Sequence, residues 1–237
     1  MSSKKLIELQ EISKSICSLL VHREKDYLSE IKALQNKAGL IDSNLNEMKI
    51  KILSEQINGI SKLLVNEYSK TLRYYAVIPG KIYAGEIPSS IDENLIQKKI
   101  DLLLSLGITK VINLTEIEET NFKGIPLKEY EGILRKSSQT EMIRMSIKDL
   151  NIPTVEHMCN IISKIDSFIE KDEVIYIHCW GGIGRTGTVV GCYLIDKKII
   201  TSNLIIPYIS FLKRNTEINN RNSPETDEQV EFLLDWH

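Results

Sequence analysis

The first 72 residues contain no proline; the six prolines of this 237-residue chain all lie at Pro79 or beyond. The same stretch holds only two of the twelve glycines, Gly39 and Gly59, so it lacks the residues that most often interrupt helices. Four cysteines (Cys17, Cys159, Cys179, Cys192) show no CxxC pair and no metal-ligand spacing, which argues against a disulfide framework and a zinc site. No apolar run reaches the ~18 residues of a membrane span, and no basic-then-apolar segment leads the chain. Neither sign of charge dominates. Thirty Lys and Arg stand against 32 Asp and Glu, a net charge of −2, which argues against a general binder of nucleic acid or membrane surfaces. Hydrophobic content of 42% and charged content of 26% are those of a soluble globular protein.

What fills residues 1–72 is amphipathic periodicity. Leu9, Ile12, Ile16 and Leu19 recur at steps of three and four, and so do Ile31, Leu34, Ala38, Ile41, Leu45, Met48 and Ile52. A third set, Leu53, Ile57, Ile60 and Leu64, shifts the stripe by one position. Gly39 can end one helix, and Asn44 followed by Glu47 can cap the next. The expectation is an all-helical extension over residues 1–72, a hairpin or coiled-coil-like. Two uses stay open: a cap packed on the rest of the chain, or a stalk for a helical partner or a homodimer.

From residue 73 the pattern changes. Pro79-Gly80 is a turn, and Lys81-Ile82-Tyr83-Ala84-Gly85 begins a strand pair. Residues 92–106 read as a helix with Gly107 past its end, and Val111-Ile112-Asn113-Leu114 as a short buried strand. Residues 115–139 are polar and carry Gly124, Pro126 and Gly132, which suggests a long loop. A strand over 142–147 and helices over 154–170, 201–214 and 224–236 complete the chain. Strands alternating with helices predict an α/β domain over residues 73–237, a central sheet with helices on both faces.

Between the buried strand Val174-Ile175-Tyr176-Ile177 and the apolar helix that opens near Thr188 lies His178-Cys179-Trp180-Gly181-Gly182-Ile183-Gly184-Arg185-Thr186-Gly187. A Gly-rich turn from strand to helix collects backbone N–H groups at a helix N-terminus, which is an anion site. Here that site also holds a cysteine and, six residues later, an arginine. Amide dipoles and Arg185 favour a thiolate, and Arg185 can grip two phosphate oxygens at once. A nucleophile and a phosphate cradle in one loop point to phosphoryl transfer through a phosphocysteine. The loop also contains GxGxxG, but the acidic residue that a dinucleotide site needs about 20 residues on is missing. A nucleotide P-loop requires a glycine at Cys179 and a lysine at Arg185, and fails.

This run resembles the signature of the cysteine-dependent protein tyrosine phosphatases. Its flanks, over about residues 74–236, resemble the compact, dual-specificity-like branch found in bacteria and elsewhere; the run from Ile78 to Pro88 looks like that branch's opening. The resemblance implies a mixed, mostly parallel sheet, a metal-free two-step mechanism without cofactor, and a phosphoprotein substrate, phosphotyrosine alone or with phosphoserine and phosphothreonine; the alternatives are a phosphoinositide or other small phosphate ester, or a phosphate-binding adaptor that acts through its helical extension. It implies that Cys179 attacks phosphorus, while Arg185 and the amides of Trp180, Gly181, Gly182, Ile183 and Gly184 bind the phosphate. Asp149, 30 residues before Cys179 in a loop that carries Pro153, corresponds to the general acid. Ile147 occupies the place of the tryptophan that the tyrosine-specific branch has there. Thr186 is expected to hydrogen-bond the cysteine sulfur, His178 to order the loop, and Gln229 to hold the attacking water. The long loop is where such enzymes recognise substrate. A catalytic thiolate needs a reducing compartment, so a cytoplasmic location is expected.

Overall fold

The computed structural model describes residues 2–23, 26–41, 48–64, 69–120, 124–126, 128–137 and 139–237. Residues described in the proline-free stretch form α1 (Ser2–His22), α2 (Tyr27–Gly39), α3 (Met48–Asn58) and α4 (Ile60–Leu64). Ile12, Ile16 and Leu20 of α1 and Ile52, Leu53 and Ile57 of α3 bury their helical stripes. Asn44 and Glu47, expected as a capping pair, lie outside the described residues. Pro79-Gly80 then joins β1 (Tyr74–Ile78) to β2 (Ile82–Gly85) as an antiparallel hairpin, with Gly80 at φ 80° in the turn.

The chain continues through α5 (Glu93–Ser105), β3 (Lys110–Asn113), α6 (Glu131–Ser137), β4 (Glu141–Arg144), α7 (Val155–Glu170), β5 (Ile175–His178), α8 (Gly184–Asp196), α9 (Ser202–Lys213) and α10 (Asp227–Leu234). Caps set several of these boundaries. The Asp92 carboxylate accepts from Asn94 N–H at the start of α5, and the Thr154 hydroxyl from His157 N–H at the start of α7. The five strands order as β1-β2-β5-β3-β4; only the β1–β2 pair is antiparallel. The fold is thus a mixed, mostly parallel sheet between helical layers, with an N-terminal helical extension.

β5 lies in the middle and is buried along its length. Successive side chains of a strand point to opposite faces. Ile175 and Ile177 accordingly join the core formed with α7, α8 and α9, and Tyr176 joins the opposite core with Ile96, Ile100 and Leu134. The first of these cores also contains Ile16, Leu20 and Ile57, so the extension and the sheet domain share one apolar cluster with Tyr208 and Ile209 of α9. At the same interface the Ser13 hydroxyl donates to Gln56 (3.0 Å), and the Gln56 amide donates to the Tyr208 hydroxyl (3.3 Å). Burial there pushes the Cys17 thiol up to about 12.

Three expectations need correction. The stretch 115–139 is not loop throughout: α6 forms within it, burying Leu134, one turn beyond buried Tyr130. Two turns are too few to display a full apolar period in sequence. The strand expected over 142–147 pairs with β3 only to Arg144, although Ile147 N–H still donates to the Leu114 carbonyl (3.0 Å). The last helix starts at Asp227 rather than Pro224, because Thr226 caps it through a reciprocal pair with Gln229.

Candidate active site

The carboxyl ends of β2, β5, β3 and β4 lie side by side, the usual location of ligands in open α/β sheets. His178 closes β5 in register with Gly85 on one side and Asn113 on the other. Its ring is fully buried, with Nδ1 2.9 Å from the Cys179 carbonyl and Nε2 2.5 Å from the Tyr130 hydroxyl. A carbonyl only accepts, so Nδ1 carries the proton and Nε2 accepts from Tyr130. Burial lowers the His178 pKa to about 4, which keeps the ring neutral.

The chain leaves His178 and bends over the end of β2. Ile87 N–H donates to the Trp180 carbonyl (3.0 Å), pinning the loop there. Gly182 sits at φ 73°, and a Cβ on it would lie 2.3 Å from the Gly85 carbonyl carbon. Only glycine permits that approach. On the other side the Ser223 hydroxyl donates to the Ile183 carbonyl (2.8 Å). The loop runs directly into α8, so the positive end of that helix faces a cavity of about 210 Å³. Cys179, Trp180, Gly181, Ile183, Gly184 and Arg185 line it, with Asp149, Leu150, Arg221, Glu225 and Gln229. Cys179 is 3% exposed.

Arg185 is buried and held from several directions. Its Nη1 and Nη2 each donate to one oxygen of Glu119 (2.7 Å and 2.7 Å), and Nη1 also donates to the Ile147 carbonyl (3.2 Å). Asp149 Oδ1 lies 2.8 Å from Nη2. Burial alone would raise the Glu119 carboxyl, but Arg185 outweighs it and holds the group below the usual carboxylate range. Sequence reasoning missed Glu119. It lies 66 residues before Arg185, and the only signal was a run of acids, Glu116, Glu118 and Glu119, just past a strand end.

The remaining expected residues fall around the same cavity. Asp149 is 57% exposed at the rim, followed by Leu150 at φ 60°. Gln229 is buried; its Oε1 accepts from the N–H groups of Glu225 and Thr226, and its Nε2 donates to the Asn151 carbonyl (3.0 Å). It therefore ties α10 to the loop of Asp149. The Thr186 hydroxyl is buried and finds no hydrogen-bond partner among the described residues, the Cys179 sulfur included. Among the described residues no cluster of three or more His, Cys, Asp or Glu is placed to hold a metal ion. None of the described helices is long and apolar enough to cross a membrane.

A cysteine at the mouth of a loop that leads into a helix N-terminus, with a buried arginine six positions on, sets a potential nucleophile beside an anion cradle. Comparison with known proteins gives likenesses to phosphatases. A family described as "Polymorphic toxin system, DSP-PTPase phosphatase" matches residues 88–199. A tyrosine-protein phosphatase CDC14 homolog of Schizosaccharomyces pombe is 35% identical over 69 residues, 29% of this chain and 13% of that protein. The phosphatidylglycerophosphate phosphatase PTPMT1 of Arabidopsis thaliana is 26% identical over 149 residues, 62% of this chain and 40% of that protein. The chain thus spans well under half the length of either relative. The crystal structure of PTPMT1 in complex with PI(5)P superposes with a TM-score of 0.52 at 21% identity, covering 70% of this chain and 94% of the other, a likeness of fold. The family match covers 112 of the 237 residues, and together with these relatives it supports membership of the cysteine-dependent protein tyrosine phosphatase superfamily.

Proposed function

We propose that this protein hydrolyses phosphate monoesters of proteins, phosphotyrosine and also phosphoserine and phosphothreonine, through a phosphocysteine intermediate. The observation that carries the reading is the single cavity in which Cys179, the positive end of α8, buried Arg185 and Asp149 converge. In the first step the Cys179 sulfur attacks phosphorus and the P–O ester bond breaks. The leaving oxygen takes the proton of Asp149, without which an alkoxide would be a poor leaving group. In the second step the Asp149 carboxylate removes a proton from water, water attacks phosphorus, and the S–P bond breaks to release phosphate. Arg185 and the loop amides neutralise the charge on the equatorial oxygens in both steps. Thr186, whose buried hydroxyl is unengaged, is suited to stabilise the departing sulfur. Gln229 acts by holding the Asp149 loop against α10 and by lining the cavity in which water attacks.

A second reading, hydrolysis of a phospholipid headgroup, is favoured by the likeness to PTPMT1, named as a phosphatidylglycerophosphate phosphatase. Against it, the loop residues Trp180 to Gly184 include no lysine to meet additional phosphates. The test is a panel of phosphotyrosine, phosphoserine and phosphothreonine peptides, phosphoinositides and an aryl phosphate. Cys179→Ser serves as control: it should hydrolyse none of them while still binding phosphate through Arg185 and the amides. Substantial turnover by that variant would remove the covalent mechanism.

A further inference from the structure

A second cavity, about 320 Å³, opens beside the catalytic one. Trp180 lines both, and Glu119, which grips Arg185, lines the second. Part of its lining is apolar (Ile87, Pro126, Met142), and its charges are unbalanced. Lys128 is paired with Glu93 (2.8 Å), Glu131 with Arg135, and Glu119 with Arg185. Arg144 turns Nη1 onto the carbonyls of Thr115 and Glu116. Glu116, Glu118 and Glu129 have no ion pair among the described residues, so three carboxylates stand against one guanidinium. Glu118 is held at φ 62°, a conformation that costs a non-glycine residue free energy. Large apolar side chains open to solvent line or adjoin the cavities: Ile117 (77% exposed) lines the second and Leu150 (52%) the first, Ile125 (46%) precedes the lining residue Pro126, and Ile152 (40%) follows two residues after Leu150. Clustered exposed apolar residues beside a pocket mark a contact surface for a macromolecule.

We propose that this second cavity is a specificity subsite for a lysine or arginine side chain close to the phosphorylated residue of the substrate. Neighbouring apolar residues of the same segment rest on Ile117, Ile125, Leu150 and Ile152. The proposal rests on the phosphoprotein reading above. Charge decides the occupant: an anionic bilayer or a polyphosphorylated headgroup would bring negative charge up to Glu116, Glu118 and Glu129, whereas a basic peptide neutralises them.

The test uses the full chain and three phosphotyrosyl peptides that differ only in having Lys, Ala or Glu at the positions flanking the phosphotyrosine. The expected order of kcat/KM is Lys, then Ala, then Glu, with a change of about threefold per exposed charge pair. The spread should shrink in about 1 M salt, where the Debye length is about 3 Å. Replacing Glu118 and Glu129 together by Gln should bring the Lys/Ala ratio close to one, and replacing both by Lys should invert the order. General damage to the fold lowers all three rates alike and inverts nothing. Hydrolysis of the three peptides at equal rates overturns the subsite alone and leaves the phosphoprotein reading intact. Turnover of phosphoinositide vesicles and aryl phosphate with no peptide hydrolysed overturns that reading and the subsite with it.

Discussion

Both Nη groups of Arg185 are engaged before any substrate arrives: Glu119 takes one hydrogen from each, Ile147 takes the second from Nη1, and the Asp149 carboxylate forms an ion pair with Nη2. A phosphate oxygen that binds Nη2 displaces the Asp149 carboxylate, and the freed side chain can then turn toward the leaving oxygen. Asp149→Asn should therefore have two effects of opposite sign. Turnover of alkyl or protein phosphates falls by roughly 10²–10⁴-fold, with less loss on activated aryl esters. Competitive inhibition by inorganic phosphate tightens, because a competing negative charge is gone. Equal loss on both substrate types would assign the acid to another residue. His178 gives a second prediction. Burial lowers its pKa from 6.5 to about 4, so between those values the unfolded chain binds a proton that the folded chain refuses. The contribution is full above about pH 6.5 and is lost as pH falls toward 4, roughly 3 kcal/mol in all. Urea unfolding at pH 7 and pH 4.5 should show that loss, and His178→Asn should flatten the slope in this window.

At the scale of elements, the loop after β5 is held by backbone on one side, at Gly85 and Ile87, and by the Ser223 hydroxyl on the other. Gly182→Ala places a methyl group against the Gly85 carbonyl, which cannot retreat without breaking the pairing of β2 with β5. The variant should lose most of its aryl phosphatase activity and should unfold at lower temperature; wild-type kcat with an unchanged Tm would show that the loop yields freely. How much of this was legible follows from the range of each signal. β5, the loop and α8 are contiguous, so the run from Val174 to Ile195 reads directly as strand, turn and helix. Asp149 was expected at the site because its loop lies 30 residues before Cys179 and carries Pro153, as the family resemblance implies. Glu119 was not, because its partner is distant in sequence and no spacing rule links an acid after β3 to an arginine after β5. α6 was hidden by its shortness, and Gly132 within it argued the wrong way. The fate of the N-terminal stripe was undetermined, since an amphipathic face does not name what covers it.

At the scale of the molecule, α1 lays its apolar face on α9, α3 packs on α1, α7 and β1, and both share a core with the sheet domain. We propose that residues 1–72 act as a cap on the catalytic domain of residues 73–237. A chain starting at Leu72 should then aggregate or lose activity, because Tyr208, Ile209 and Leu212 would be uncovered together. Light scattering of the intact and shortened chains checks this: a soluble, active, monomeric fragment from a dimeric parent would instead make the helices a stalk. The contact between Ser13 and the Ile199 carbonyl (3.1 Å) joins residues 186 positions apart. On the ribosome, at about 5–20 residues per second, α1 emerges roughly ten to forty seconds before α9 exists to receive it. For that interval α2 and α3 can cover part of its row of isoleucines and leucines, and the part that α9 will cover stays open on the nascent chain.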